Sequence, residues 1–456
     1  MNIDIIKKYN TPGPRYTSYP PATFFHTGFG QEQYVKHIEK SNGDEPKNIS
    51  FYVHIPFCSK LCFFCGCNTS ILRGDDVVKR YVNAVIKEIE TVSSMLDKSR
   101  KVSQIHWGGG TPNAISLNYI EQIMNALKKD FSFTGNAEIA MECNPAYLEF
   151  KDIDRLKEIG FNRLSLGIQD FDPKILKSVN RDASKYPVKD LVAHMKKIGF
   201  HGVNLDLIYG LPYQTVDSFK ESVHQAIDIS PDRLVTFSYA HVPWVKTAQK
   251  KLETYGLPGP EDKLAMFDAG LEMLTKAGYL SIGMDHYAKP DDELCIALNN
   301  RKLHRNFQGY ATRETTGQVY GFGTSSISQL NGAYIQNTKV LNEYMERVEK
   351  TGFAVERGYE LSQEDIIRRD VITEIMCNGY LSFKEIADRY AISEQKVVEV
   401  VDFKEAELVD FIEDDLIEYK EGILKLKEQG FFVVRNIAMV FDPLLEIKDA
   451  QYSKTV

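Results

Sequence analysis

Between residues 49 and 240 the chain alternates short apolar runs, rich in β-branched and aromatic residues, with longer amphipathic stretches, and that rhythm leaves few folds open. Strands are expected at 49–56, 103–108, 137–143, 163–168, 202–209 and 233–240, with helices between them at 77–92, 118–129, 188–198 and 216–227. Alternating units of this kind give a parallel sheet with helices outside it. Right-handed crossovers then curl six such units into an open, partial (β/α)6 barrel of the TIM type, an α/β fold. In that architecture functional residues collect at the C-terminal ends of the strands.

The first strand leads into Phe57-Cys58-Ser59-Lys60-Leu61-Cys62-Phe63-Phe64-Cys65-Gly66-Cys67-Asn68, where four of the chain's seven cysteines fall within ten positions. Cys58, Cys62 and Cys65 form a C-x3-C-x2-C run, and Cys67 adds a fourth thiol. Three thiolates from one loop can hold three corners of a cubic iron–sulfur cluster, which normally takes a fourth ligand. If Cys67 does not close it, one iron stays open to a substrate. A zinc ribbon would need two separated C-x2-C pairs and a thioredoxin-like site one C-x-x-C, and neither is present. Cysteines serving only as small core residues would scatter along strands instead of crowding a loop with two aromatics.

The other strand ends carry matching polar chemistry. The second opens into Trp107-Gly108-Gly109-Gly110-Thr111-Pro112, whose glycines allow close approach of the backbone to a ligand, although a tight turn would also use them. The third ends at Glu142, the fourth at Gln169-Asp170, and the fifth contains Asp206 ahead of Tyr209-Gly210-Leu211-Pro212. A carboxylate, an amide and a second carboxylate on one rim suit the two hydroxyls of a ribose. Arg181 can grip a carboxylate through two hydrogen bonds. His241, His286 and His304 read as hydrogen-bonded structural histidines.

Flanking regions divide the chain into 1–48, 49–355 and 356–456. Four prolines in residues 11–22 make that segment extended, an N-terminal strap packed on the barrel, with Arg15, Tyr16 and Tyr19 placed to help cover the site. Beyond about residue 355 the alternation gives way to a mostly helical C-terminal domain with a possible small hairpin, read as a lid or packing domain. A winged-helix likeness there is offset by the acidic residues around 405–421, which disfavour phosphate contact. A formal charge of −8 and the lack of a long Lys/Arg block argue against a nucleic-acid surface or a polybasic membrane anchor. No apolar stretch of about 18 residues occurs and the N-terminus lacks a signal-peptide core, so the expectation is a cytoplasmic, monomeric protein.

Taken together, the run from Tyr9-Asn10-Thr11-Pro12-Gly13-Pro14-Arg15-Tyr16-Thr17-Ser18-Tyr19-Pro20, the C-x3-C-x2-C-x-C loop, Gly108-Gly109-Gly110-Thr111-Pro112, Asp206-Leu207-Ile208-Tyr209-Gly210-Leu211-Pro212, His304-Arg305-Asn306-Phe307-Gln308-Gly309-Tyr310 and Arg368-Arg369-Asp370 resembles the oxygen-independent coproporphyrinogen III dehydrogenase family of radical S-adenosylmethionine (SAM) enzymes. The resemblance covers almost the whole chain. It implies a radical SAM barrel with one 4Fe-4S cluster on Cys58, Cys62 and Cys65, and two SAM molecules beside it. Tyr52, Gly109, Glu142 and Ile327 would contact the SAM on the cluster; Phe64, Gly110, Thr111, Gln169, Arg181, Asp206 and Ala240 would contact the second. Cys67 matches a cysteine that the family needs for activity without being required for ligation.

The implied reaction is oxidative decarboxylation of two propionates of coproporphyrinogen III to vinyl groups, giving protoporphyrinogen IX of anaerobic haem synthesis, with two SAM becoming 5′-deoxyadenosine and methionine. A low-potential donor of flavodoxin or ferredoxin type would supply electrons and an unnamed acceptor would remove them. Four substrate carboxylates need cations, for which charge logic nominates Arg15, Arg305, Arg368 and Arg369. The alternatives are a haem-binding chaperone on the same scaffold, a haem-opening radical SAM methyltransferase and a zinc-binding interaction protein.

Overall fold

Six strands run parallel in chain order: β1 (Ile49–Ile55), β2 (Lys101–Gly109), β3 (Ser132–Cys143), β4 (Arg163–Gln169), β5 (Gly202–Tyr209) and β6 (Arg233–Ser238). They are those expected from the sequence. The structure, a computed structural model, describes residues 3–312 and 318–445, so the outer ends of the 1–48 and 356–456 regions lie outside the described residues. Six further strands extend the sheet: β7 (Leu280–Gly283), β8 (His286–Ala288), β9 (Gln318–Phe322), β10 (Ile327–Leu330), β11 (Ala333–Asn337) and β12 (Val355–Glu360). The order across it is β12-β11-β10-β9-β1-β2-β3-β4-β5-β6-β8-β7. β9 joins β1 in parallel, Tyr52 opposite Gly321, while the remaining added strands pair antiparallel. The edge strands β12 and β7 are not partners, so the barrel stays open.

Strand period decides which residues serve the core and which serve the lumen. Phe51, Val53, Ile105, Trp107, Met141, Leu164, Leu166, Val203 and Leu205 are buried on the outer face against the helical layer. Helix Asp75–Ser93 meets them with Val78, Tyr81, Val82, Val85 and Ile89, spaced three or four apart, and starts on Asp75 and Asp76, which suit its positive N-terminal end. The alternate residues point inward and are polar: Tyr52 on β1, Gln104 and His106 on β2, Glu138 and Glu142 on β3, Arg163 and Ser165 on β4, Asn204 and Asp206 on β5, Arg233 on β6.

At the N-terminal end of the strands this inner face is closed by charge pairing. Arg163 Nε donates to Glu138 Oε2 at 2.7 Å and Arg233 Nε to Asp292 Oδ2 at 2.9 Å, with side chains 5–12% exposed. Gln104 Nε2 and Asn204 Oδ1 satisfy further atoms of the network, each at 3.0 Å. Burial works against ionisation of Glu138, but the Arg163 and Arg233 charges prevail and hold its pKa well below the usual carboxylate value.

The C-terminal region has its own core, built by helices Gln363–Asn378, Phe383–Tyr390, Glu394–Val400 and Val434–Met439 around a small antiparallel sheet. The expected helical tail with its hairpin is therefore present. β12 lies across the 355/356 division, because the polar run Val-Glu-Arg-Gly-Tyr-Glu pairs with β11 as an edge strand that needs few apolar residues. That edge is capped by an isolated bridge from His26 to Gly358, N···O 3.0 and 3.1 Å. No helix among the described residues is long and apolar enough to cross a membrane.

The N-terminal strap corrects an expectation. Its residues 25–38 pack on the barrel edge through Phe29, Tyr34 and Ile38, but residues 9–19 pack on the C-terminal domain. Tyr9 stacks on Phe411 at 4.8 Å. Tyr16 and Tyr19, expected as flat cover for the site, are buried and give their hydroxyls to Asp442, both at 2.9 Å. A buried phenol needs an acceptor, and the C-terminal domain supplies it.

Two stability predictions arise. Glu138→Ala strips the acceptor from the buried Arg163 Nε and removes a charge partner 3.7 Å from Arg233, and should cost about 3–5 kcal/mol in denaturant unfolding. Asp442→Ala should cost about 2–4 kcal/mol, from two charged hydrogen bonds lost. It should also expose the strap to limited proteolysis well before the barrel; parent-like cleavage kinetics would show that Asp442 does not anchor it.

Candidate active site

The six parallel strands β1–β6 end on one rim, and the cysteine loop is fastened there by contacts from three other parts of the chain. Phe57–Cys58 pairs in parallel with Ser70–Ile71, which closes the loop on itself. Phe63 N donates to the Val179 carbonyl at 3.0 Å, and Asn180 Nδ2 to the Leu61 carbonyl at 2.7 Å. Lys246 Nζ reaches the Cys67 carbonyl at 2.8 Å, and Gln249 Nε2 the Phe64 carbonyl at 3.0 Å. Asn180 has φ 59°, a left-handed conformation that asparagine tolerates better than most residues. These anchors were not visible in the sequence pattern.

Cys58 is buried with its Sγ 3.4 Å from Thr111 Oγ1, Cys62 and Cys65 are half-buried, and Cys67 is exposed. All four are free thiols. Burial raises the Cys58 thiol to about 11. The Cys67 hydrogen bond pulls Cys65 down to about 6, and the same bond pushes Cys67 up. The charge of Arg181 acts on Cys58, Cys62 and Cys65 alike, and its Nη1 lies 3.5 Å from Cys62 Sγ. Among the described residues no three His, Cys, Asp or Glu converge as on a single metal ion. Cluster ligation asks for something else, because each thiolate takes a different iron of the cube. Three soft donors gathered under one guanidinium fit such a cluster, with Cys58, Cys62 and Cys65 to hold it.

The triple glycine is filled on its Cβ side by protein. A Cβ on Gly110 would lie 2.5 Å from the Pro56 carbonyl oxygen, and one on Gly109 2.7 Å from the His54 ring. Gly110 N donates to the Ile55 carbonyl at 2.8 Å and Thr111 N to that of Phe57 at 3.0 Å. The glycines thus seat the cysteine loop against the second strand, a demand that the sequence reading, centred on ligand approach, did not identify.

Inside the rim Tyr52 stacks on His106, centroids 6.1 Å apart, and gives its hydroxyl a partner in His54 Nδ1 at 3.0 Å. His54 is held below its usual pKa by burial, and its Nε2 lies 3.0 Å from the Asn68 carbonyl. His106 Nε2 lies 3.0 Å from Glu142 Oε1. Burial opposes charge on His106, yet the Glu142 hydrogen bond and charge raise its pKa. Asp206 is pushed up to about 7, first by burial and then by Glu142, against a Ser165 hydroxyl at 3.0 Å. Two such carboxylates are half-satisfied acceptors ready for ligand hydroxyls. Gln169 holds φ 70°, and a Cβ on Gly167 would meet Gln169 Nε2 at 2.7 Å and Arg181 Nη2 at 3.1 Å. Strain of that kind in a non-glycine residue marks a constrained position. Arg181 also donates to the Gly167 carbonyl.

Of the remaining expected residues, Phe64 packs beside Tyr239 and Leu252, Ala240 follows β6 in an exposed position, and Ile327 crosses the sheet from Gly321, the partner of Tyr52. Arg15 and Arg305 meet, Arg305 Nη1 donating to the Arg15 carbonyl at 2.5 Å. Arg368 and Arg369 do not reach this rim. Arg368 pairs with Glu364 at 3.0 Å along its own helix, and Arg369 donates to the Asn331 carbonyl at 3.0 Å. The i,i+4 spacing of Glu364 and Arg368 was the signal for that fate.

Comparison with known proteins agrees with this geometry. Residues 52–226 match the Radical SAM superfamily, so barrel and cysteine loop define a radical SAM protein. Oxygen-independent coproporphyrinogen III oxidase of Synechocystis is 41% identical over 99% of this chain and 97% of its own, and that of Escherichia coli 39% over 100% and 98%. The solved coproporphyrinogen III oxidase from Escherichia coli superposes with a TM-score of 0.89 at 38% identity, covering 97% of this chain and 99% of that one. The chain belongs to the oxygen-independent coproporphyrinogen III oxidase family.

Replacing Gly110 by Ala should displace the cysteine loop, since a backbone carbonyl cannot yield as a flexible side chain does; overpacking of this kind costs about 1–3 kcal/mol. Iron and sulfide per chain after anaerobic reconstitution should fall several-fold. Full loading of the variant would mean that the loop does not depend on this contact.

Proposed function

We propose that this chain performs the oxidative decarboxylation of two propionate side chains of coproporphyrinogen III to vinyl groups, releasing two CO2 and giving protoporphyrinogen IX. The observation that carries the reading is the single rim on which Cys58, Cys62 and Cys65 share the Arg181 guanidinium, with Glu142, Gln169 and Asp206 beside them. A cluster with bound SAM supplies one-electron cleavage of SAM and hence a carbon radical able to take hydrogen from an unactivated propionate β-carbon.

The chain's own residues bind and orient. Tyr52, Gly109, Glu142 and Ile327 hold the SAM nearest the thiols; Phe64, Gly110, Thr111, Gln169, Arg181, Asp206 and Ala240 hold a second. Glu142 and Asp206 accept from ribose hydroxyls, and Arg181 turns from the Gly167 carbonyl to a carboxylate. Cys67 serves decarboxylation at the same site without being a cluster ligand. A low-potential flavodoxin- or ferredoxin-type donor serves the monomer in the cytoplasm, and a separate acceptor removes the electrons left by decarboxylation.

Anaerobically reconstituted protein given coproporphyrinogen III, SAM and a reductant should form protoporphyrinogen IX together with 5′-deoxyadenosine. Tight haem binding without turnover would favour the chaperone reading instead. Cys58→Ser, Cys62→Ser or Cys65→Ser should abolish both the absorbance near 400 nm and SAM cleavage, whereas Cys67→Ser should keep the cluster and lose decarboxylation; loss of iron in Cys67→Ser would make it a ligand. Arg181→Ala and Asp206→Ala each remove a charged hydrogen bond worth about 1.5–3 kcal/mol, and should lower product formation roughly 10- to 100-fold at limiting SAM.

A further inference from the structure

Arginines from three distant segments meet on the β6 side of the mouth. Arg305 sits in the hairpin Leu303–Asn306/Gly309–Thr312, directly opposite Tyr310, with its guanidinium 5.4 Å from that ring. The hairpin rests on the rim: Tyr310 packs edge-on to His286 at 5.1 Å, and His286 edge-on to Phe237 of β6 at 6.1 Å. Arg15 is exposed in the strap, its carbonyl held by Arg305. Arg435, 4% exposed in the C-terminal domain, donates Nε to the Pro14 carbonyl at 2.9 Å and Nη2 to that of Gly13.

Two donors here lack partners. Arg305 Nε and the Tyr310 hydroxyl are both buried, and neither has a hydrogen-bond acceptor among the described residues. A buried unsatisfied donor costs about 1–3 kcal/mol, more on a charged group, so such a pair calls for an explanation. Local charge points the same way. Burial, then the charges of Arg15 and Arg305, pull Arg435 down to about 10. Asp285 faces the three, but its carboxylate is already engaged by His286 Nδ1 at 2.8 Å. The Phe237 contact places the hairpin beside β6, the strand that leads to Ala240.

We propose that Arg305, Tyr310 and Arg15 form a carboxylate subsite that holds a propionate of the tetrapyrrole away from the reacting position. The inference rests on the function proposed above. It gives the C-terminal domain a part in substrate recognition, because Arg435 fixes the strap carbonyls of Gly13 and Pro14 just ahead of Arg15. Planar guanidinium forks suit a carboxylate better than lysine would, and the phenol adds a neutral donor.

The test is a fluorescence titration of the full chain with coproporphyrin III, the stable oxidised tetracarboxylate, and with its tetramethyl ester. The parent should bind the acid at least 10-fold more tightly than the ester. Arg305→Gln should weaken acid binding 10- to 100-fold, Arg305→Lys should recover part of that loss, and Tyr310→Phe should weaken it about 3- to 10-fold. Tyr310→Phe keeps the ring and removes only the partnerless hydroxyl, so it reports on the subsite even if the arginine variants misfold. Equal affinity of acid and ester, or parent-like affinity in both Arg305→Gln and Tyr310→Phe, would overturn the subsite. Conversion of coproporphyrinogen III by the unaltered enzyme tests the function separately: if conversion occurs while the affinities are unchanged, only the subsite is wrong.

Discussion

Pairing of Arg163 and Arg233 with Glu138 and Asp292 is the interaction on which the rest of the barrel depends. A (β/α) barrel normally fills its interior with layers of branched apolar side chains. Here the inward face carries charged and polar residues at both ends, from Gln104, Glu138 and Arg163 to His106, Glu142 and Asp206, and a polar interior survives only where its charges are matched. The ionic floor matches them at one end, with side chains 5–12% exposed. At the other end His106, Glu142, Ser165 and Asp206 have fewer partners inside the protein, and this is where ligands are needed. One strand alternation thus produces a stable base and a receptive mouth.

Function follows from how the mouth is fastened. Ligand-bearing loops are the mobile parts of such folds, yet radical chemistry tolerates little displacement of the reacting atoms. The cysteine loop is held by Asn180, Lys246, Gln249 and the Thr111 backbone, contacts that fix its carbonyls while leaving the thiols out of disulfides. Arg181 then brings one positive charge to three thiols.

Much of this was legible in the sequence because it is local. Six short apolar runs rich in β-branched and aromatic residues located six strands, and the cysteine spacing announced its own chemistry. Strand ends were less legible: β3 begins at Ser132, five residues before the expected start, because pairing with Lys101 carries it through Gly135 and Asn136, residue types that strands disfavour. Side-chain fates set by distant partners were not legible at all. Nothing near Tyr19 announces Asp442, 423 residues later, so a buried anchor looked like an exposed aromatic surface. Arg369, spent on the Asn331 carbonyl, looked as available as Arg305. The anchors of the cysteine loop escaped for the same reason.

The strap that joins the two cores has a consequence for how the protein is made. Residues 3–20 leave the ribosome long before their partners Asp414, Asn436 and Asp442, which lie 405 to 427 residues further along the chain. Domains tend to fold in the order of synthesis, so the barrel can assemble while its own leading segment waits undocked. The wall of the mouth that contains Arg15 is therefore the last to be built, and a nascent chain has an accessible cysteine loop before it has a finished pocket for a tetrapyrrole.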